Sequence, residues 1–189
     1  ILTAPTPTGE QGSPAVIARI PAPEGAPTVL LYAHHDVQPV GDLAVWNTEP
    51  FEPTVVGERM YGRGVADDKA GIMVHLAAVR ALADELAVGV TLFAEGEEEA
   101  GSPSFAAFLE QHRELLAADA IIVADSQNWA VGTPALTTSL RGMGSIEFTV
   151  STLDHALHSG MFGGAVPDAA LAATRMIAGL HDADGRVDI

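Results

Sequence analysis

Three runs of apolar, β-branched and aromatic residues stand out along the chain: Thr28-Val-Leu-Leu-Tyr-Ala33, Gly89-Val-Thr-Leu-Phe-Ala94 and Ala120-Ile-Ile-Val-Ala124. Each has the length and composition of a sheet-core strand. Each also runs straight into polar chemistry. The first ends in His34-His35-Asp36, the second in Glu95-Gly-Glu-Glu-Glu99, the third in Asp125. Between the first two lies Tyr61-Gly-Arg-Gly-Val-Ala-Asp67-Asp68-Lys69-Ala-Gly71, followed by Ile72, Met73, Leu76, Val79, Leu82, Ala83 and Leu86 at helical spacing. That pattern predicts a tight glycine-bearing loop entering a helix, with Asp67 and Asp68 at its N-terminus, where the helix dipole favours negative charge.

The pattern elsewhere is less regular. Pro5 to Pro27 is rich in Pro, Gly and Thr apart from Ala15-Val-Ile-Ala-Arg-Ile20, and reads as a mobile edge hairpin or loops. The main break in organisation falls near Leu140-Arg-Gly-Met-Gly144. Beyond it, Ile146, Phe148 and Val150 alternate with polar residues as in a half-exposed strand. Pro167-Asp168 then opens a helix carrying Leu171, Thr174, Arg175, Ile177 and Leu180. These signals predict an α/β domain over residues 1–141 and the start of a separate α+β unit over 142–189.

Acids crowded at strand ends need a reason, because like charges at close range raise one another's pKa. In open α/β sheets, ligands sit outside the carboxyl ends of the strands. Three strands delivering His, Glu and Asp there match a metal site, and a cysteine-free donor set suits zinc, manganese or cobalt. A carboxylate left beside the metal can act as a general base. The Gly62-Arg-Gly64 pair lacks the third glycine of a dinucleotide fingerprint.

The motifs His34-His-Asp36-Val-Gln-Pro39, Trp46, Pro50-Phe-Glu-Pro-Thr54, Gly62-Arg-Gly64-Val-Ala-Asp67-Asp68-Lys69 and Glu95-Gly-Glu-Glu98-Glu99-Ala-Gly-Ser102 resemble the M20 metallopeptidases. Ala124-Asp125-Ser126 and Leu153-Asp-His-Ala-Leu-His158-Ser-Gly-Met-Phe-Gly-Gly164 are most similar to the carnosinase-like dipeptidase branch. The resemblance implies a three-layer αβα zinc-peptidase-like catalytic domain, joined to a smaller α+β lid that carries a homodimer contact. It implies two divalent metal ions, most simply Zn, with Mn or Co as alternatives. His34 would bind one metal and Asp36 would orient its imidazole. Asp67 would bridge both metals, and the Asp67–Asp68 peptide bond would be cis. Asp125 would complete the first metal and Glu99 would bind the second. Glu98 would be the general base acting on a water between the metals, and His158 would donate to the oxyanion. The family's second metal also receives a histidine from near the C-terminus of the full chain, so the sequence from Ile1 to Ile189 reads as a piece of a longer protein.

Composition narrows the alternatives. At 189 residues and 48% hydrophobic content the chain can bury one sizeable core and part of a second. A net charge of −16 argues against nucleic acid or an anionic membrane as partner. No apolar run reaches the roughly 18 residues of a membrane span, and zero cysteines exclude disulfides and thiolate zinc sites. A cytoplasmic location is the working expectation. No Gly-x-Ser-x-Gly elbow supports a serine hydrolase. The competing readings are an N-acyl-amino-acid amidase or desuccinylase on the same metals, and a non-catalytic metal- or peptide-binding remnant, which would not need Glu98.

The remaining polar residues read more plainly. His75 is expected to be packed or at the surface, and His112 and His181 to face solvent. His35 is expected to neighbour the site, and His155 is a weaker candidate than His158. Arg141 could pair with a substrate carboxylate or form a salt bridge, and Asp182-Ala-Asp184-Gly185 lacks the remaining ligands of a calcium loop.

Overall fold

The structure, a computed structural model, describes residues 1–187. The chain divides into two compact units, meeting in sequence between Thr137 and Thr138. The first unit is built on a four-stranded sheet. Its strands are β1 (Val16–Ile20), β2 (Thr28–His34), β5 (Gly89–Glu95) and β6 (Ala120–Val123), in the order β1-β5-β2-β6. β2 is parallel to both β5 and β6, whereas β1 runs antiparallel to β5 at the edge. A short hairpin, β3 (Thr54–Val56) and β4 (Arg59–Tyr61), and the helix α1 (Lys69–Ala81) lie between β2 and β5 in sequence. α2 (Phe105–Gln111) and α3 (Arg113–Leu116) connect β5 to β6.

Strand alternation splits the sheet's side chains between two faces. On one face, Leu30 and Phe93 join Ala4, Ala15, Phe108 and Leu116 in a single buried cluster. Phe93 anchors it, with ring centroids 5.3 Å from Phe108 and 5.6 Å from Tyr32. The alternate residues Leu31, Ala33 and Ala94 are also buried but stand outside that cluster, and α1 packs against β2. The α/β class expected from the strand runs is the class observed.

Register places the chemistry. His34 pairs with Glu95 across β2 and β5, and Tyr32 pairs with Val123 across β2 and β6. Because these three strands are parallel, their carboxyl ends share one edge, and Asp125 follows two residues after Val123. α1 begins at the same edge. Asp68 caps it by accepting the Gly71 N–H, and the Asp67–Asp68 bond is cis.

Several expectations need correction. The N-terminal segment takes the edge-hairpin form of its two expected alternatives, but it packs more closely than that expectation implied. Leu2 pairs with Ala15 and Pro5 with Gln11, and Ala4 and Ala15 are among the most buried residues. Small side chains carry little sequence signal, yet here they let the segment lie close against the sheet. α1 stops at Ala81, short of the predicted Leu86, and Met73 is exposed. His112 does not face solvent freely. It is half-buried, with its ring 4.6 Å from Phe108 at an edge-on angle.

In the second unit, Ile146 to Val150 form no strand. Sheet structure requires a neighbour for its backbone N–H and C=O groups, and among the described residues none pairs with this segment. His158 caps one helical turn, α4 (Ser159–Phe162), its Nδ1 accepting the Gly160 N–H. α5 (Ala169–Ala178) forms where predicted, with Asp168 accepting the Leu171 N–H as its N-cap. Among the described residues no helix is long and apolar enough to cross a membrane.

Candidate metal centre

His34 is the pivot of the site. It ends β2 with only 1% of its side chain exposed. Its Nδ1 lies 3.2 Å from the Asp36 main-chain oxygen and 3.3 Å from Asp36 Oδ1, so that nitrogen must carry the proton. Nε2 points the other way, 2.9 Å from Asp67 Oδ1 and 3.9 Å from Glu98 Oε2. Asp125 completes the group: one donor atom each from His34, Asp67 and Asp125 lies within 4.8 Å of the others. Asp67 and Glu98 are partly open to solvent, at 67% and 38% exposure.

A second set of contacts holds this arrangement in place. The Asp36 carboxylate accepts the main-chain N–H groups of Glu98, at 3.2 Å, and Glu99, at 3.0 Å. It therefore ties the acidic turn after β5 to His34. Asp68 is buried and accepts the His34 N–H at 3.1 Å as well as capping α1, so helix and strand end are fastened together. Lys69 Nζ donates to the His35 carbonyl. His75, on α1, is buried and bonds the Tyr32 carbonyl at 2.8 Å.

Glu99 does not join the convergent group. Its carboxylate accepts from Gln38 Nε2 at 2.9 Å, and the same amide reaches its main-chain oxygen. His35 bonds the Pro14 carbonyl and does not join the group either. In the second unit His155 pairs with the neighbouring Asp154, and both are exposed. Sequence reasoning passed over Asp68 as a clamp on His34. The spacing of Asp68 to Gly71 marks a cap, but nothing in it points back to a strand 34 residues earlier. Asp68→Ala is expected to cost about 2–4 kcal/mol of unfolding free energy, combining a lost cap with a buried unpaired N–H. Urea denaturation of that variant, with an unchanged midpoint as the contrary result, checks it.

The electrostatics are those of a cation site. Burial lowers the affinity of His34 for a proton, but the carboxylates of Glu98, Asp125, Asp36 and Asp68 outweigh it and raise its pKa above the ordinary value. Glu98 is also raised, by burial first and then by Asp125, Glu99 and Asp36, against the opposing pull of His34. Burial likewise raises Asp68, opposed by its bond from the His34 N–H, and assisted by Asp125. Tyr32 donates to Glu95 Oε2 at 2.6 Å, and burial pushes its phenol well above its usual range. Among the described residues no Lys or Arg forms an ion pair with these acids, and every ion pair involves histidine. With Nδ1 protonated, the Nε2 lone pair faces the Asp67 oxygen, and two such groups need positive charge beside them. A divalent cation held by imidazole nitrogen and carboxylate oxygen meets that need.

The model of peptidase family M20/M25/M40 matches residues 30–183. The chain belongs to this family. Its members among the M20 metallopeptidases use divalent metal ions, which agrees with the donor set at His34. The M20 chain is 42% identical over 167 residues to the cysteinylglycine-S-conjugate dipeptidase of Corynebacterium striatum, covering 87% of this chain and 37% of that protein. It is 31% identical over 179 residues to the β-Ala-His dipeptidase of Homo sapiens, covering 92% of this chain and 35% of that one. Among solved structures, it matches the M20 family metallo-carboxypeptidase Sso-CP2 from Sulfolobus solfataricus with a TM-score of 0.74 at 30% identity. That match covers 98% of this chain and 42% of the other. The M20 chain thus spans little more than a third of the curated relatives' length.

Proposed function

We propose that the protein containing this chain is a metallodipeptidase that hydrolyses the peptide bond of dipeptides or other small peptides. The observation that carries the reading is the convergence of His34, Asp67 and Asp125 donor atoms beside the Glu98 carboxylate. The similarity to dipeptidases from several organisms supports the substrate class.

His34, Asp67 and Asp125 would hold a divalent cation, and Glu99 a second one. Zinc is the ion we favour, given a cysteine-free nitrogen and oxygen donor set. A divalent cation bound there supplies Lewis-acid polarisation and makes water more acidic. The chain's own residues then do the proton work. Glu98 takes the proton of the attacking water at its carboxylate and returns it to the leaving amine. Asp36 keeps the proton on His34 Nδ1, so Nε2 stays available as a donor to the cation. His158 donates to the tetrahedral oxyanion, in the role the family gives to a lid histidine across a dimer. Division into a catalytic domain over 1–141 and a lid from 142 onward belongs to this reading, as do the homodimer and a cytoplasmic location.

The test is turnover by the full-length protein, loaded with zinc, on Cys-Gly and β-Ala-His dipeptides and on an N-acyl amino acid. Faster turnover of the dipeptides supports the proposal, and preference for the N-acyl substrate replaces it with an amidase. For His158→Ala we expect kcat to fall about 10²–10³-fold, as for loss of an oxyanion donor. A near-normal kcat removes His158 from the mechanism.

A further inference from the structure

Of the four glutamates in Glu95-Gly-Glu-Glu-Glu99, Glu97 is the one whose carboxylate is bonded to the N-terminal arm and to the start of α2. It is 6% exposed. Its Oε1 accepts both the main-chain N–H of Ser104, at 2.6 Å, and the Ser104 hydroxyl. Its Oε2 accepts the N–H of Ser13 at 2.9 Å. The buried charge therefore joins three segments far apart in sequence: the N-terminal arm before β1, the acidic turn, and the start of α2. Its main chain matters as well. The Glu97 carbonyl accepts the N–H groups of Ala100 and Ser102, closing the turn that carries Glu98 and Glu99.

The arm is built to lie against this turn. A Cβ on Gly12 would collide with the Ser104 side chain, and one on Gly96 would collide with the Pro14 carbonyl and crowd the His35 ring. Both glycines thus permit backbone approaches that a side chain would block. His35 adds a bond from its ring to the Pro14 carbonyl at 2.9 Å. The turn is gripped from two sides: by Asp36 through the Glu98 and Glu99 N–H groups, and by Glu97 through Ser13 and Ser104.

We propose that Glu97 is a positioning residue, which latches the N-terminal arm and α2 to the acidic turn and so fixes Glu98 for proton transfer. The inference rests on the reading of Glu98 as general base. Asp36 holds the turn at two N–H groups, and Gln38 adds a bond to the Glu99 main-chain oxygen. Without Glu97 the turn would keep its link to His34 but lose its backing. A displacement of about 1 Å at a reacting group can cost on the order of 10²-fold in rate. Glu97 is buried, bonded to Ser13 and Ser104, and not among the convergent donors, so its loss should act on kcat and leave KM and metal affinity nearly unchanged.

The experiment compares Glu97→Ala, Glu97→Gln and Ser104→Ala with the parent in the full-length zinc-loaded protein. It reads kcat, KM, zinc stoichiometry and hydrogen exchange of residues 96–104. Glu97→Ala is expected to lower kcat about 10–10²-fold, with KM within about twofold, zinc retained and faster exchange across the turn. Glu97→Gln keeps an oxygen for Ser104 but sets its amide nitrogen, a donor, against the Ser13 N–H, so kcat should return only in part. Ser104→Ala, which loses only the hydroxyl bond and keeps both main-chain donors, should be the mildest of the three but still below the parent. A kcat within about twofold of the parent in Glu97→Ala, or KM rising as far as kcat falls, overturns the proposal. So does unchanged exchange across 96–104. If Glu97→Ala does not fold, unchanged exchange and full kcat in both other variants overturn it equally. If the parent turns over no peptide, the dipeptidase reading fails, and the exchange comparison alone decides whether Glu97 latches the turn.

Discussion

Glu98→Gln will abolish turnover by the full-length protein while leaving its metal content unchanged. The substitution keeps the size and hydrogen-bonding outline of the side chain but removes the basic oxygen. The main-chain bond from Glu98 N to Asp36 does not depend on the side chain, so the turn should stay in place. General base catalysis contributes about 10²–10⁴-fold, and kcat should fall by that much or more, because one carboxylate is asked to move the proton twice. Glu98 Oε2 stands 3.9 Å from His34 Nε2, near the donor group but not among its three convergent atoms. Kinetics paired with elemental analysis separates the roles. Loss of metal along with activity would make Glu98 a ligand and leave the reaction without a base. Retained activity would point to another base.

How far the sequence exposed this site depended on the distance over which its parts interact. His34, Asp67 and Asp125 were legible because each follows a local signal, a strand end or a glycine-bearing loop before a helix, and parallel pairing then brings them to one edge. The family motifs supplied the roles. Glu97 was illegible, since its partners Ser13 and Ser104 are 84 residues before and 7 after it, and only the folded chain joins them. The same holds for Asp68 and the His34 N–H. The N-terminal segment was legible as an edge hairpin, but its close packing was not, because Pro and Gly normally mark loops whereas here Gly12 permits close approach. Ile146, Phe148 and Val150 show the converse error. Their alternation is a property of single residues, but a strand is a property of a pair.

The stabilisation of this protein by a divalent metal will grow with pH, through the titration of His34. In the metal-free fold the surrounding carboxylates raise the His34 pKa, so the folded state binds that proton more tightly than the unfolded chain. The resulting stability is fully present below the ordinary histidine value and is lost as pH rises through the raised one. Glu98 and Asp68, raised by burial, act in the same direction at lower pH, losing their contribution as pH climbs through their raised values. Glu97 acts oppositely. Burial would raise it, but its bonds from Ser104 and Ser13 prevail and lower it, so its contribution exists above the ordinary carboxylate value and disappears only as pH falls through the depressed one. The metal-free protein therefore weakens from mildly acid to alkaline pH as far as these groups decide. A cation competes with the proton for His34 Nε2, and its affinity rises over the same interval. Melting temperatures with a fixed zinc concentration and with chelator should draw together toward about pH 5.5 and separate by roughly 5–10 °C near pH 8, where that concentration is about 100 times the Kd. His34→Gln should flatten that dependence. A separation that stays constant with pH would mean that the cation binds through carboxylates alone, and that His34 is held by Asp36 and Asp67 for structure rather than for metal.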